Sequence, residues 1–185
     1  TTALGDDSFT YELTVNNLIT LGQGGDKKIT ARQTDVAGNT ENSQEFQFEV
    51  DTNLTPPLSV SSIGGVDSVV SGNSDDNLIV GVAEVGSTIE LFDGENTKLG
   101  ETTALGDDSF TYELTPDNLI TIGEGVKKAL MVKQTDVAGN TTTLQLSYSV
   151  DTIPPDVPST PDLTIQSDTG SSDSDNLTLN NTPTF

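Results

Sequence analysis

Acidic side chains in short loops rich in Gly and Asn are the groups in this chain whose types and spacing could do chemistry. Such loops occur in the contexts AEVGS, GDD, TDVAGN, SDDN and VDT. Calcium takes about six to eight oxygen ligands from carboxylates, amides and backbone carbonyls on flexible loops. These loops offer oxygen with no nitrogen or sulfur competitor, so they predict Ca²⁺ as a cofactor. The candidate ligands are Asp51, Asp75, Asp76, Asn77, Glu84, Asp107, Asp108, Asp136, Asn140 and Asp151.

The same residue types also form ordinary turns, in which Asp and Asn side chains satisfy nearby backbone groups. The sequence contains neither the D-x-D-x-D-G spacing of an EF-hand nor a glycine-rich nonapeptide. Both interpretations of each single loop therefore stay open. The recurrence of such loops in so acidic a chain favours bound calcium.

The charge balance excludes several classes of function. The 185 residues include 29 Asp and Glu but only 7 Lys and Arg, for a formal net charge of -22. A surface this acidic repels phosphate and anionic lipid, and the apolar runs are too short to span a bilayer, so we expect neither nucleic-acid binding nor membrane insertion. Because Cys and His are absent, the chain has no disulfide, no thiolate zinc site and no histidine general base. Asp107 and Asp108 could form a glycosidase pair, but such a pair must lie across a cleft, so we predict no enzyme activity.

An internal repeat defines the domain organisation. The segment TTALGDDSFTYELT begins at Thr1 and again at Thr102, which are 101 residues apart, and VDT occurs at 50–52 and at 150–152. A period of about 100 residues is the size of one small domain. We predict that 1–51 is the C-terminal part of one repeat with strands E to G, that 52–151 is a complete repeat, and that 152–185 begins the next. We expect the parent chain to continue in both directions.

Alternating apolar and polar residues predict an all-β fold. Leu144, Leu146, Tyr148 and Val150 alternate with polar residues, as in a half-buried strand. Roughly seven such strands separated by turns in one repeat indicate an antiparallel Greek-key sandwich of the immunoglobulin-like type. PDNLITIGEG, after strand E, predicts a helical turn across the open end of the sandwich. The predicted strands of the complete repeat are 58–63 (A), 77–83 (B), 87–92 (C), 97–104 (D), 109–115 (E), 127–135 (F) and 142–150 (G).

The predicted sandwich sorts the acidic loops between its two poles. Glu84, the Asp107 turn and the TDVAGN loop lie at the pole where the chain enters the repeat. The SDDN loop and the linker residue Asp151 lie toward the pole where it leaves. Repeats stacked end to end would therefore place carboxylates against carboxylates, so the expected partners are neighbouring repeats of the same chain. Unpaired strands in the incomplete repeats could also pair with another copy of the chain.

The repeat resembles the bacterial Ig-like repeats of giant surface adhesins, the biofilm-associated and RTX-type proteins. The resemblance is carried by TDVAGN after strand F, VDT before a Pro-Pro linker, SDSDN before strand B and AEVGSTIELFD across strands B and C. It implies a non-catalytic extender, secreted by a type I system to the bacterial cell surface, that supports adhesion and biofilm formation. In that family calcium rigidifies the junctions. The positions that match are Asp51, Asp75, Asp76, Asp136, Asn140 and Asp151.

Two other interpretations stay open. The repeat could be a module that binds a carbohydrate or a protein, or the chain could be an extracellular filament subunit joined by strand complementation. The two linkers also differ, since one reads DTNLTPP and the other DTIPPD. We therefore do not expect the two junctions to bind an ion identically.

Overall fold

The computed structural model describes residues 1–2, 4, 8–54, 56–73 and 75–185, and it confirms the all-β prediction. The chain divides into two compact units, Thr1–Thr152 and Ile153–Phe185. In chain order the elements are α1 (Val15–Leu21), β1 (Gly24–Ile29), β2 (Arg32–Thr34), β3 (Thr40–Asn42), β4 (Phe46–Val50), β5 (Ser59–Ile63), β6 (Val69–Val70), β7 (Leu78–Val82), β8 (Thr88–Asp93), β9 (Lys98–Thr103), β10 (Ser109–Glu113), α2 (Pro116–Ile122), β11 (Gly125–Thr135) and β12 (Thr141–Val150).

The complete repeat contains two sheets that share one core. One sheet has the strand order β10-β7-β5, and the other has the order β6-β12-β11-β8-β9, in which β6 and β12 are parallel. Ile79, Leu91, Phe110 and Val132 come from both sheets, and all four are fully buried in a single hydrophobic cluster. Each predicted strand bound lies within two residues of the observed one, whereas β6 was not predicted. The Greek-key connection and the immunoglobulin-like assignment stay predictions.

The predicted helical turn is confirmed as α2. Its N-cap Thr115 accepts a hydrogen bond from the backbone of Asn118, whose side chain accepts one from the backbone of Thr115, so the two residues form a capping box. Leu119 and Ile122 pack against the core. Both helices have seven residues, and no helix in the described chain could span a membrane.

The first 51 residues differ from their copy in the complete repeat. Residues 8–14 form no strand, although the identical sequence at 109–115 contains β10. β10 is held by its ladder with β7, and no equivalent of β7 is described beside residues 8–14. Phe9 is therefore 54% exposed, whereas its counterpart Phe110 is fully buried. The prediction of a strand E here was wrong because a strand needs a ladder partner; residues 5–7 of the motif lie outside the described residues.

The unit Ile153–Phe185, all of which is described, contains turns and no strand. The backbone N–H of Thr164 donates to the carbonyl of Thr184 at 3.0 Å. Ser167 and Asp168 are its buried residues. The predicted repeat boundaries stay predictions.

Candidate metal site

Three carboxylates from separate parts of the chain meet where the first 51 residues join the complete repeat. Asp51 follows β4, Glu84 lies between β7 and β8, and Asp136 lies between β11 and β12. One carboxylate oxygen of each lies within 4.8 Å of the other two. Asp51 and Glu84 are half-buried, and Asp136 is 6% exposed. Among the described residues no other three acidic side chains come together in this way.

Asn140 links the loop of Asp136 to the linker residue Asp51. Its backbone N–H donates to Oδ1 of Asp136 at 2.8 Å, and its side-chain amide donates to Oδ2 at 2.7 Å. The same amide donates to the backbone carbonyl of Asp51 at 3.3 Å. Oδ1 of Asp51 in turn accepts from the backbone of Asn53 at 3.3 Å. A single amide side chain therefore joins the TDVAGN loop to the linker that precedes it.

Asp136 carries a negative charge at neutral pH. Burial acts to raise the pKa of its carboxyl, but hydrogen bonds from the side chain and backbone of Asn140 and from the backbones of Gly139 and Ala138 outweigh it. The pKa therefore lies below the ordinary value for Asp. Like charges held this close repel one another unless a cation lies between them. Asp51, Glu84 and Asp136 are therefore the carboxylates that could hold a cation here.

The first copy of the TDVAGN loop shows which features belong to the turn itself and which belong to the candidate site. The backbone and side-chain amides of Asn39 each donate to the carboxylate of Asp35 at 2.8 Å, as in the second copy. The side-chain hydrogen bond from Asn39 is the main reason that the pKa of Asp35 is also lowered. Asp35 is exposed and belongs to no group of three acidic side chains among the described residues. Hydrogen bonds within the loop therefore account for its conformation in both copies. What distinguishes Asp136 from Asp35 is the presence of two other carboxylates beside it.

An open cleft of about 280 Å³ adjoins two of the three carboxylates. Because the cleft is open to solvent, an ion can reach the carboxylates without a change in the fold. The cleft is lined by Gln23, Gly24, Glu49, Val50, Asp51, Asn53 and Glu84.

Asp107 and Asp108 do not join the three carboxylates. Oδ1 of Asp107 accepts from the hydroxyl of Ser109 at 2.6 Å and from its backbone at 3.2 Å, and these bonds lower the pKa of Asp107. Asp108 has a φ of 65°. Its carbonyl accepts from the backbone of Ala83 at 2.8 Å. Both residues lie in a turn, and a metal-binding role for them stays a prediction.

The SDDN loop and Asp151 also lie apart from the three carboxylates. Oδ2 of Asp76 accepts from the hydroxyl of Ser71 at 2.7 Å, and the buried side chain of Asn77 accepts from the backbone of Gly72 at 3.2 Å. Asp75 is exposed. The backbone N–H of Asp151 donates to the carbonyl of Val70 at 2.9 Å. A metal-binding role for these positions stays a prediction.

No protein-family model and no curated protein matches this chain. Solved structures do match. The BSP domain of a biofilm-associated protein is 21% identical over 71% of this chain and 20% of its own, with a TM-score of 0.38. The adhesin domain of Epf from Streptococcus pyogenes is 18% identical over 62% of this chain and 38% of its own, with a TM-score of 0.42.

A third match is to a Ca²⁺-stabilised adhesin with which an Antarctic bacterium binds ice. It is 22% identical over 67% of this chain and 31% of its own, with a TM-score of 0.34. This chain is similar to domains of bacterial surface adhesins. It spans between 20% and 38% of the length of these three structures.

One contact that the sequence did not predict holds the first linker residue of each repeat. The backbone N–H and hydroxyl of Thr52 donate to Oε1 of Gln23 at 3.2 and 3.0 Å. In the second copy the backbone N–H of Thr152 donates to Oε2 of Glu124 at 3.0 Å, and its hydroxyl donates to Oε1 of the same residue. The available signal was the position itself, since GQG and GEG occupy the same place in the two repeats.

Proposed function

We propose that this chain is a non-catalytic spacer segment of a secreted bacterial cell-surface adhesin, and that Ca²⁺ stiffens the junction between its repeats. The observation that carries the proposal is the meeting of Asp51 with Glu84 and Asp136, because these residues belong to consecutive repeats. The motif resemblance supplies the cellular setting, which is secretion through a type I system to the cell surface and support of adhesion and biofilm formation.

Calcium fits the donor set better than other common ions. The three side chains offer only oxygen, and they come from loops and a linker with unequal burial. Calcium accepts irregular arrangements of oxygen ligands, whereas Mg²⁺ demands near-octahedral geometry and keeps several waters. A Ca²⁺ ion held by Asp51, Glu84 and Asp136 would cancel their repulsion and tie the linker to two loops of the next repeat.

A stiff junction makes length the useful property of the segment. The longest strand, β11, has 11 residues, which at about 3.3 Å per residue corresponds to roughly 36 Å of reach in each repeat. Pro56 and Pro57 follow the Asp51 linker and restrict its backbone further. A string of such repeats would hold a distal domain at a set distance from the cell. This role needs no catalytic group, and we infer that the chain is not an enzyme.

Small-angle scattering of the whole chain tests the proposal. In millimolar Ca²⁺ we expect a narrower distribution of the radius of gyration than in EDTA or millimolar Mg²⁺. We also expect a more extended scattering profile. Asp136→Asn should remove the calcium effect. Asp35→Asn, which changes the same loop position in the first copy, should retain it. Identical profiles of the unaltered chain in EDTA and Ca²⁺ would contradict the proposal.

Pairing between copies of the chain is a second candidate, and exposed apolar side chains favour it. Phe9, Tyr11 and Phe46 are 54%, 58% and 66% exposed. We propose that residues of another copy can cover them, as neighbouring strands cover Phe110 in the complete repeat. Sedimentation equilibrium over a hundredfold range of concentration is the test. A mass that stays monomeric throughout would exclude this candidate.

A further inference from the structure

The short strand β6, which the sequence did not predict, bonds the beginning of the complete repeat to its end. The chain enters this repeat through β5 and leaves it through β12. β6 follows β5 and pairs in parallel with the end of β12, where Val69 lies beside Ser149 and Val70 beside Val150. Every other strand pair described in this repeat is antiparallel. An early strand is therefore joined directly to the last one.

Backbone hydrogen bonds and buried side chains hold this parallel pair together. The backbone N–H of Ser149 donates to the carbonyl of Ser68 at 3.0 Å, and that of Asp151 donates to the carbonyl of Val70 at 2.9 Å. Val70 is fully buried and Val150 is 3% exposed, and both belong to the hydrophobic core. The two strands therefore cannot slide past each other without breaking these bonds and drawing apolar side chains out of the core.

A glycine turn carries the chain from one sheet to the other. β5 belongs to the three-stranded sheet, and β6 belongs to the five-stranded sheet. Gly64 has a φ of 61°, and a Cβ atom there would lie 2.5 Å from the carbonyl oxygen of Val69. The backbone N–H of Gly64 donates to the carbonyl of Leu78 in β7 at 3.2 Å. Only glycine lets the chain fold back this closely, so the turn fixes where β6 meets β12.

The directions of the two strands decide how tension acts on the pair. A pull on the two linkers draws β6 toward the N-terminal linker and β12 toward the C-terminal linker. Because the strands are parallel, these pulls are opposed along the strand axis and slide the strands lengthwise. The hydrogen bonds between the strands run across that axis, so they share the load and must break together. A pull that separates the strands from one end would break the same bonds one at a time.

We propose that the β6–β12 pair is the clamp that resists tension along the chain, and that the complete repeat opens when this pair breaks. Detachment of β5 from β7 releases only the first strand and leaves β12 bonded to β6. The biological setting of the clamp rests on the proposed spacer role, in which the repeats hold a distal domain against a load. The clamp itself needs no bound ion, because its bonds join the backbones of 68–70 and 149–151.

Single-molecule force spectroscopy of the whole chain in EDTA tests the clamp. The chain contains no Cys, so two introduced cysteines set the direction of the pull. Asn53→Cys with Asp156→Cys loads β6 and β12 lengthwise. Asn73→Cys with Asp156→Cys separates them from one end, because a Cβ atom at Gly72 would lie 3.4 Å from the side chain of Thr152. The lengthwise pull should need at least about twofold more force to open the repeat, since at least two bonds share that load and one bears the other.

A proline substitution tests the bonds themselves. Ser149→Pro removes one donor of the pair and should lower the lengthwise opening force by about a third to a half. Ser147→Pro is the matched control, because Ser147 is exposed and lies two residues earlier on the same edge of β12, beyond the residues that β6 covers. It should leave the opening force unchanged. Melting curves show whether both variants fold.

Two results would overturn the proposal. One is an equal opening force in the two directions of pull, a comparison that needs no substitution within the clamp. The other is an unchanged lengthwise force in folded Ser149→Pro, which would assign the load to the ladder between β5 and β7. Asp136→Asn should leave the force in EDTA unaltered, because the junction carboxylates take no part in the clamp. Failure of the clamp and failure of the calcium proposal are therefore separate outcomes.

Discussion

Calcium-dependent thermal stability gives the sharpest test of the junction site. Extracellular calcium modules bind with Kd values of about 10⁻⁴ to 10⁻³ M, so 10 mM Ca²⁺ corresponds to as much as about 100 times Kd. An ion that binds only the folded state at 100 times Kd stabilises it by about 2.7 kcal/mol. For a unit of 152 residues, about 2–4 °C of Tm corresponds to each kcal/mol, which predicts a gain of roughly 5–10 °C over EDTA.

Asp136→Asn is the decisive perturbation, because Asp136 is the most buried of the three carboxylates. Loss of one of three charges should weaken calcium binding by about tenfold or more, and the gain in Tm should then fall to about half or less. Asp35→Asn disturbs the same hydrogen bonds to Asn39 but removes no ligand, so its calcium-dependent gain should equal that of the unaltered chain.

The assay is a melting curve by circular dichroism in EDTA, in 10 mM Mg²⁺ and in 10 mM Ca²⁺. Each variant is compared by its gain over EDTA, so a general loss of stability cancels. An equal loss of the gain in Asp136→Asn and Asp35→Asn would refute the assignment of these carboxylates as ligands. If calcium does not change the melting temperature of the unaltered chain, the acidic loops are ordinary turns.

Three further predictions concern the fold and the linker. Gly81→Ala should destabilise the chain by about 1–3 kcal/mol in urea unfolding, because the added Cβ would meet a backbone carbonyl at 2.2 Å and an aromatic ring at 2.5 Å, whereas Gly106→Ala meets nothing within 4 Å and should be neutral. Burial raises the pKa of Tyr148 from 10.0 to about 12, so the free energy of unfolding should fall between those pH values, and absorbance titration at high pH checks this. Tyr148→Phe should reduce that fall without loss of stability at neutral pH, since the buried hydroxyl has no hydrogen-bond partner among the described residues. Glu124→Ala should speed amide exchange at Thr152, and Glu124→Gln should not, because Gln performs the same task in the first repeat; equal rates in both variants would contradict the contact.

The strands of the complete repeat could be predicted because apolar and polar residues alternate along them, which marks a buried face and an exposed face. Tyr148 and Val150 alternate with polar residues, and both are buried in the core. The capping box that starts α2 is equally local, since it needs only Thr115 and Asn118 three residues apart. In contrast, β6 has two residues and pairs in parallel with β12, which is distant in sequence. So short a segment carries no periodicity from which to predict it.

The candidate site could be predicted only in part. The chemistry of its ligands and the expectation that linker and loop carboxylates face each other both came from the sequence. Which three of ten positions converge did not, because Asp107 and Asp76 occupy turns of the same composition but bond to nearby hydroxyls. The burial of Asp168 could not be predicted either, because a polar residue in a Ser-rich turn gives no sign of burial.

The two copies of TTALGDDSFTYELT divide what the sequence determines from what the tertiary structure decides. By itself the sequence determines short-range features: the turns, the helix caps and the alternation that makes one face of a strand apolar. The same letters nevertheless form β10 around the buried Phe110 in one copy and leave Phe9 exposed without a strand in the other. A strand and a bound ion both need partners that are distant in the chain. Their energy comes from a ladder or from charges brought together, so only the tertiary structure decides where they form.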